Sequence, residues 1–473
     1  MNASTKTDRN DAAPALSQYS AEELSTLYRQ RKLSPVETTR AILAHIETHN
    51  PVLNAFALLD ADAALAAARQ SERRWHDGTQ WSELDGVPAT VKDLLLAKGW
   101  PTLRGSRVVN PDQDWNEDSP VVARLRESGV VLLGKTTTAE FGWKGFGDSP
   151  LTGVTRNPWN PAHTPGGSSG GSAAAAAIGF GPLHAASDGG GSVRQPAAFS
   201  GVFGFKPSFG RVAGYPAAHT GTLFNVSPMT RTVRDAALLL NAIARPDARD
   251  VHALPYDNRD WRLDIEQGVK DLRIAFSPDL GYARVDPEIA ELVARAAKSF
   301  GELGAKVEAA SPPIEDPLHA IYRVLGAAAV ARLFETLPQD RLALAEAGLR
   351  DFAEQGRQIG VTRYLAAVQA RESFTRALNL FFGKWDLLLT PTTASSAPLV
   401  EQGVTDPRSA TSPFTYPFNL SQQPAASIPI GFSANGLPVG LQIVGARYRD
   451  DLVLRAARAY ERRHPFITTD TVR

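Results

Sequence analysis

Two glycine-rich segments constrain this chain more than any other feature of its sequence, because each stands directly before residues that favour a helix. The first, TPGGSSGGSAAAAAIGF at residues 164–180, places seven glycines and serines before a run of five alanines. The second, ASDGGGSVRQPAAFSG at residues 186–201, places three glycines before Ser192 and a second helix start. Glycine permits turns and close backbone approaches that other residues cannot adopt. The sequence therefore predicts two turns, each carrying a glycine-flanked serine.

Three interpretations of the first segment remain open on its residues alone. A phosphate-binding loop would need a lysine after its last glycine, and none follows. A nucleophile elbow, G-x-S-x-G, matches Gly166, Ser168 and Gly170, but it should follow a buried strand, whereas the preceding RNPWNPAHTP contains three prolines. A flexible loop that ends in a helix is the third interpretation, and most glycine and serine clusters are such loops.

The second segment and an upstream lysine suggest acyl-transfer chemistry. Consecutive backbone N–H groups at Gly189, Gly190, Gly191 and Ser192 can form an anion-binding nest, which a tetrahedral oxyanion requires. The segment GVPATVKDLLL, residues 86–96, places Lys92 in an otherwise apolar strand. Lys92 either points to solvent, paired with Asp93, or is buried among apolar residues. In the buried case it would lose its charge, and a neutral amine near pH 7 is a competent general base.

Charge and composition exclude several classes of protein. The 473 residues include 50 basic and 50 acidic side chains, so no global field attracts nucleic acid or an anionic membrane. The absence of cysteine excludes disulfides, thiolate metal sites and cysteine nucleophiles. The polar N-terminus lacks the apolar core of a signal peptide, and residues 165–187 are too rich in glycine and serine to span a bilayer. We expect a cytoplasmic protein with neither nucleic acid nor membrane as a partner.

Helices and short apolar strands alternate along the chain. Ser20 with Glu23 and Ser34 with Glu37 form capping boxes that predict two N-terminal helices, and an alanine-rich helix is expected over residues 59–74. A further helix is expected to begin at Asp286 and Pro287. The predicted strands are VPATVKDLLL, VVLLGKTT, LRIAFS, WDLLLTPTT, ASIPIGF and GLQIVG. This alternation predicts an α/β fold whose sheet is covered on both faces. Residues 394–412 are expected to form a loop.

The two glycine-rich segments together resemble the signature of the amidase signature family of serine hydrolases. The stretch GGSSGGSAAAAAIGFGPLHAASDGGGSVRQPAAFSGVFGFKPSFGRV carries the resemblance, and GVPATVKD is similar to the lysine segment of that family. The similarity extends from about residue 20 to residue 463 and includes PAASIPIGFSANGLPVGLQIVGARYRDD. It implies a polar tail at residues 1–19 and one α/β/α domain at 20–473, with the signature core at about 85–215. It also implies a large mixed sheet and amide hydrolysis without a cofactor.

The resemblance assigns a role to each of three side chains. Ser192 is the nucleophile that forms the acyl-enzyme, Ser168 is the bridging serine, and Lys92 is the base at the end of the proton relay. It also implies a cis peptide between Gly167 and Ser168.

The same resemblance assigns the groups around the nucleophile. Gly189, Gly190 and Gly191 form the oxyanion hole, and Asp188 and Arg194 brace the loop that carries them. Many family members have a bulkier residue at the position of Gly189, so we expect a looser nest here. Glycine at this position still provides its backbone N–H group, so the expected catalysis does not depend on a side chain there.

Other residues are candidates for binding rather than chemistry. His45 and His49 have the spacing of a metal pair on a helix, but no third ligand is evident, and we expect no metal site. Six aromatic residues on expected loops are predicted to line the substrate channel: Trp143, Phe146, Phe224, Phe414, Tyr416 and Phe418.

These features predict an amidase that acts on small amides, aryl or apolar in character, and on related carbamates or esters. We expect it to act on a small-molecule amide as a monomer or homodimer. The alternative is the A subunit of a glutamine-dependent tRNA amidotransferase, which has a similar fold and needs a partner. Glutamine would require a charged group, such as a buried arginine, for its α-carboxylate, and the sequence does not locate one. A catalytically silent binding protein is disfavoured, because Lys92, Ser168 and Ser192 are all present.

Overall fold

The alternation of strands and helices in the sequence folds into one large sheet and its surrounding helices. A computed structural model describes residues 15–314, 318–405 and 412–469. The α-helices are Ala21–Arg29 (α1), Pro35–Leu53 (α2), Ala61–Asp77 (α3), Pro120–Glu127 (α4), Gly170–Ile178 (α5), Arg194–Ser200 (α6), Val233–Ile243 (α7), Pro287–Glu302 (α8), Leu318–Thr336 (α9), Ala347–Arg357 (α10), Val361–Phe381 (α11), Gln402–Thr405 (α12), Pro417–Leu420 (α13) and Asp450–Arg463 (α14).

The strands are short, as the apolar segments predict. They are Phe56–Leu59 (β1), Pro88–Lys92 (β2), Val131–Thr136 (β3), Asp148–Ser149 (β4), Gly153–Val154 (β5), Leu183–Asp188 (β6), Phe203–Lys206 (β7), Asn225–Thr230 (β8), Arg273–Phe276 (β9), Lys306–Ala309 (β10), Leu387–Pro391 (β11), Ala425–Phe432 (β12) and Pro438–Gly445 (β13). Eleven of them form a single sheet in the order β1-β3-β2-β6-β8-β7-β12-β13-β11-β9-β10, while β4 and β5 form a separate hairpin. The sheet is mixed: β2 runs parallel to β3 and β6, whereas β6 runs antiparallel to β8.

Both faces of the sheet are buried, because alternate residues of one strand pack into two different core clusters. In β11, Leu387 and Leu389 pack into a core cluster with residues of α7, α8 and α14, whereas Leu388 packs into a cluster with residues of α9 and α11. Successive strand side chains point to opposite faces, so a strand that is apolar at every position needs a cover on each side. The predicted α/β fold with a large mixed sheet and helices on both faces is confirmed.

Most of the predicted elements are confirmed. Both capping boxes are present at the start of α1 and α2, and all six predicted strands occur. The sequence patterns missed five strands of the large sheet: β1, β6, β7, β8 and β10. The central strands β6 and β8 contain serine, aspartate or proline, so their strand character comes from pairing with neighbours rather than from an apolar pattern.

The ends and one loop of the expected domain are only partly described. Residues 1–14 of the expected polar tail lie outside the described residues, and residues 15–19 contain a 3-10 turn in which Ser17 is buried. The carbonyl oxygen of Ser17 accepts a hydrogen bond of 3.1 Å from Arg231. In the segment expected to be a loop, 394–412, the short helix α12 interrupts the loop, and residues 406–411 lie outside the described residues.

The sheet topology positions the functional site. Lys92 is the last residue of β2 and Asp188 is the last residue of β6, and these two strands are parallel neighbours. Parallel strands end at the same edge of a sheet, so the lysine and the glycine turn after β6 emerge side by side.

Candidate active site

Lys92 is fully buried at the end of β2, which excludes the solvent-facing alternative. Its Nζ atom lies 2.7 Å from Ser168 Oγ and 2.8 Å from Ser169 Oγ, and it donates a longer hydrogen bond of 3.5 Å to the carbonyl oxygen of Ser187. Burial lowers the pKa of Lys92 to about 7, because the ammonium form loses its hydration, while the charge of Asp188 acts in the opposite direction. A large fraction of Lys92 is therefore neutral at neutral pH.

Ser168 lies in the turn before α5, and the peptide bond between Gly167 and Ser168 is cis, as the resemblance implied. No side chain fits at Gly167, since a Cβ atom there would overlap the backbone of Lys144, Gly145 and Phe146. The glycine before Ser168 is thus required by close packing. The alanine run forms the buried helix α5 behind this turn.

Ser169 is a neighbour of Lys92 that the sequence analysis did not single out. Its hydroxyl group donates a hydrogen bond of 3.1 Å to the carbonyl oxygen of Ser187, so its Oγ atom is available as an acceptor for Lys92. The signal in the sequence was the pair of adjacent serines, Ser168 and Ser169, but the pattern does not say which of them faces Lys92. In the structure, the hydroxyl groups of both serines contact Lys92 Nζ.

Ser192 follows the glycine turn and lines the same cavity as Ser168. The backbone N–H groups of Gly189, Gly190 and Ser192 make no hydrogen bond to any described residue, and the first two residues also line the cavity. The prediction for Gly191 needs correction. Its N–H donates to Asp188 Oδ1 at 2.8 Å, so it is already committed to holding the turn and is not free for an oxyanion.

Asp188 and Arg194 brace this turn through a fully buried ion pair, with Nη2 and Oδ1 2.8 Å apart. The carboxylate of Asp188 also accepts hydrogen bonds from the backbone N–H of Gly191 and Val193. Burial by itself would raise the pKa of Asp188, but the charge and hydrogen bonds of Arg194 hold it well below its ordinary value. Arg194 in turn donates to Asn419, Gln442 and the carbonyl oxygen of Thr415. The geometry agrees with the bracing role predicted for this pair.

Ser168 and Ser192 open into a cavity of about 440 Å³. Its walls come from the segment after β2, the 140–143 turn, the 216–224 segment, and helices α9 and α10. The apolar part of the lining consists of Leu94, Phe141, Trp143, Leu223, Phe224, Val330, Leu333 and Phe352 together with smaller residues.

Only two of the six predicted channel aromatics, Trp143 and Phe224, line this cavity. The prediction for Phe146, Phe414, Tyr416 and Phe418 is corrected, because all four are buried in the interior and are at most 3% exposed. The last three pack in the core cluster beside α9 and α11. Tyr416 lies one layer behind the wall, where its ring stacks on Tyr322 with centroids 5.1 Å apart.

The histidine pair on α2 lies away from this cavity. The rings of His45 and His49 are 4.5 Å apart, and His45 Nε2 is 2.8 Å from the carbonyl oxygen of Ile178. In the part of the chain that the structure describes, no group of three or more potential ligands surrounds a metal position.

None of the helices among the described residues is both long and apolar enough to cross a lipid bilayer.

Comparison with known proteins places this geometry in a family. Residues 37–454 match the Amidase family. An acylamidase from Rhodococcus erythropolis is 34% identical, and the similarity covers 94% of this chain and 96% of that protein. The chain belongs to the amidase signature family. It is thus an enzyme of a family that hydrolyses amides at C–N bonds.

Two further relatives of this amidase signature protein carry different names. The A subunit of glutamyl-tRNA(Gln) amidotransferase from Myxococcus xanthus is 38% identical, over 94% of this chain and 97% of that protein. The crystal structure of a bacterial aryl acylamidase of the amidase signature family superposes with a TM-score of 0.89 at 33% identity, over 95% of this chain and 96% of that one. Family membership therefore settles the fold and the general reaction but leaves the substrate class open.

Proposed function

We propose that this protein hydrolyses small aryl or apolar amides through an acyl-enzyme on Ser192. The observation that carries the proposal is the buried amine of Lys92 beside Ser168, at the wall of the cavity that Ser192 also lines. The proposal extends to related carbamates and esters, because the same nucleophile and oxyanion site serve any acyl transfer to serine.

The contacts of Lys92 support its role as a base. A neutral amine has two N–H donors and one lone pair. Ser169 Oγ and the carbonyl oxygen of Ser187 take the two donors, since the Ser169 proton is itself directed at that carbonyl. The lone pair then faces Ser168 Oγ at 2.7 Å, which is the distance of a strong hydrogen bond. Ser169 is in this scheme a positioning residue.

The reaction follows from this arrangement. Ser192 Oγ attacks the amide carbon, its proton passes to Ser168 Oγ, and the proton of Ser168 passes to Lys92 Nζ. The negative charge on the former carbonyl oxygen is stabilised by backbone N–H groups of the glycine turn. When the C–N bond breaks, the proton returns through Ser168 to the leaving amine. Water then repeats the sequence on the acyl-enzyme and releases the acid.

The cavity supports a preference for aryl or apolar groups. Rings from Phe141, Trp143, Phe224 and Phe352 and several aliphatic side chains form much of its wall. Burial of apolar substrate surface contributes about 25 cal/mol per Å², so a phenyl ring gains considerably more here than a short polar chain.

The second candidate function, the A subunit of a tRNA amidotransferase, is favoured by the 38% identity to such a protein. Glutamine carries both a carboxylate and an ammonium group, and each needs a partner when it is buried. Among the described residues that line the cavity there is no aspartate or glutamate to receive the ammonium group. We therefore rank this function second.

A single experiment separates the two candidates. We expect purified protein to cleave 4-nitroanilides of small acids with a kcat/KM at least about tenfold higher than for glutamine or asparagine, which corresponds to about 1.4 kcal/mol. Release of nitroaniline and of ammonia would be measured on the same preparation. Efficient glutamine hydrolysis that increases when the other amidotransferase subunits are added would reverse the ranking.

The pH dependence tests the assignment of Lys92. Because the neutral amine is the active form and its pKa is about 7, kcat/KM should rise about tenfold from pH 6 to pH 8 and then level off. His219, which also lines the cavity, has a pKa lowered to about 4 by burial and by the charge of Arg104, so it does not titrate in this range. A profile that is flat from pH 5 to pH 10, or that rises only near pH 10, would contradict the assignment.

The proposal also concerns the organisation of the protein. We propose one domain over residues 20–473, because strands far apart in sequence alternate in the sheet, with β7 beside β12. A cytoplasmic location is consistent with the lack of cysteine, since the chain has no disulfide for an oxidising compartment to maintain. We propose a monomer or homodimer, which size-exclusion chromatography of the purified protein would test.

A further inference from the structure

Arg104 is one of the residues that line the cavity beside the two serines. No hydrogen bond or ion pair joins the guanidinium group of Arg104 to another residue in the described parts of the chain, and its charge acts on His219, which also lines the cavity. Most other buried or half-buried arginines here are paired, as Arg194 is with Asp188 and Arg74 with Asp85. A cation with little solvent around it requires an anion or several acceptors.

The backbone holds Arg104 firmly against the site. The residue has a positive φ of 58°, and its carbonyl oxygen accepts a hydrogen bond of 2.8 Å from the N–H of Phe141. Phe141 is followed by Gly142, where an added Cβ atom would lie 3.2 Å from Ser168 Oγ. The backbone hydrogen bond between Arg104 and Phe141 thus ties Arg104 to the segment that packs against Ser168.

The neighbouring charges do not neutralise Arg104. The carboxylate of Asp93 acts on it electrostatically, but that carboxylate already pairs with Lys135 Nζ at 2.8 Å and accepts from the N–H of Gly105. His219, on the same cavity, is neutral near pH 7 because burial and the arginine itself lower its pKa to about 4. It can offer a hydrogen bond but no negative charge.

The other charged residues of the described cavity lining are also positive. Arg323 and Arg332 also contribute to the wall, and no aspartate or glutamate does. Both have other partners, because Arg323 donates to Gln355, and Arg332 pairs with Glu335 where both side chains are mostly exposed. Among the residues that the structure describes, Arg104 is therefore the cavity arginine whose guanidinium group has no hydrogen-bonded or ion-paired partner.

We propose that the cavity takes amides that carry a carboxylate group remote from the scissile bond, and that Arg104 binds this carboxylate, with neutral His219 beside it. This inference rests on the proposed amidase function and specifies its substrates. A planar guanidinium group matches a carboxylate through two parallel hydrogen bonds, and such charge-assisted bonds are the strong ones. The same cavity disfavours zwitterionic amides, because none of its described lining residues is an aspartate or glutamate that could pair with an ammonium group.

Matched 4-nitroanilides test the proposal directly. The mono-4-nitroanilide of glutaric acid, its methyl ester and the 4-nitroanilide of 4-aminobutyric acid share a similar length and differ in charge. We expect the carboxylate substrate to have a kcat/KM at least about tenfold above that of the ester, and the cationic substrate to be the poorest of the three. Equal values for acid and ester would overturn the proposal.

Two substitutions locate the effect. In Arg104→Met the ratio of kcat/KM for acid over ester should fall to about one, and in Arg104→Lys it should be partly retained, because the charge stays but the paired geometry is lost. Arg332→Met is the matched control, since it removes a cavity arginine that is already paired and should leave the ratio unchanged. A ratio that survives in Arg104→Met, or that falls equally in Arg332→Met, would contradict the assignment.

A binding measurement distinguishes failure of this inference from failure of the proposed function. Calorimetry with 4-phenylbutyrate and 4-phenylbutyramide on the Ser192→Ala protein requires no turnover. We expect the carboxylate to bind at least about tenfold more tightly than the amide, and this difference to disappear in the double variant with Arg104→Met. If no anilide is cleaved but this difference is found, the carboxylate site stands and the reaction assignment is wrong. Equal binding of the two ligands would overturn the carboxylate site whatever the enzyme hydrolyses.

Discussion

Replacing Ser192 with alanine is expected to reduce anilide hydrolysis to the background rate, because the proposed acyl-enzyme forms on the hydroxyl group of Ser192. A fluorophosphonate probe should label the unmodified protein at Ser192 and should not label this variant. Lys92→Met and Ser168→Ala should lower kcat by about 10²–10⁴-fold, the range that a positioned base contributes. These two variants should still fold, since a large fraction of Lys92 is already neutral in the interior and methionine fills a similar volume.

Lys206 provides the control for Lys92. It is also a fully buried lysine, and burial also lowers its pKa to about 7. Among the described residues, its Nζ donates a hydrogen bond to the carbonyl oxygen of Pro207 and to no hydroxyl group. Because it does not line the cavity, Lys206→Met should keep kcat within a few-fold of the unmodified enzyme. A folded Lys92→Met protein with normal kcat, or equal losses in both lysine variants, would exclude the proposed relay.

Removing Arg194 is expected to cause the largest loss of stability of any single substitution near the site. Arg194→Met leaves the carboxylate of Asp188 buried without its counter-charge, and breaking a buried pair in this way costs about 3–5 kcal/mol. The same change releases the glycine turn, since Asp188 holds the N–H groups of Gly191 and Val193. We therefore expect a lower denaturation midpoint in urea and a fall in kcat together.

Arg295→Met is the matched control for this measurement. Arg295 pairs with Glu291 at 2.7 Å, but both side chains are more than 60% exposed, and such pairs contribute about 0.5 kcal/mol or less. If Arg194→Met does not fold, Arg194→Lys retains the charge and should give an intermediate stability. Equal stability of the Arg194→Met and Arg295→Met proteins would show that the buried pair is not a major contributor.

The fold that supports these predictions is shared with relatives of different activities, so specificity has to lie in the cavity wall. The turn that carries Arg104 and the helices α9 and α10 form much of that wall, whereas Lys92, Ser168 and Ser192 lie on the strands and turns of the sheet edge. Substrates of this protein should accordingly be identified from the charge and shape of the wall.

Much of the reaction centre could be predicted from the sequence, because its requirements are local. The capping boxes of α1 and α2 and the three glycines before Ser192 each act within a few residues of the chain, whereas the glycine before Ser168 is also required by packing against residues 144–146. The resemblance to a known family added the pairing of these segments with Lys92. The burial of Lys92 was foreseen only as one alternative, and the position of β2 between β3 and β6 decided it.

The channel predictions went wrong where distant segments meet. Phe414 and Phe418 stand in a loop-like, proline-containing stretch, yet core packing with α9 and α11 buries both of them. The N–H of Gly191 was assigned to an oxyanion because the three glycines look alike in sequence. In the folded turn it is the N–H that reaches the carboxylate of Asp188.

The sequence by itself determined the α/β class and predicted the turn residues, the two serines and the lysine of the candidate site, because backbone preferences and family signatures reside in short contiguous stretches. Only the tertiary structure decided that Ser169 contacts Lys92, which aromatic rings reach the cavity, and that Arg104 lines it with no carboxylate bonded to its guanidinium group among the described residues. The physical reason is that burial, and the presence or absence of a counter-charge, depend on contacts between residues far apart along the chain. A periodic pattern can report that a side chain is apolar or charged, but the neighbours that surround it are fixed only when the sheet and its helices assemble.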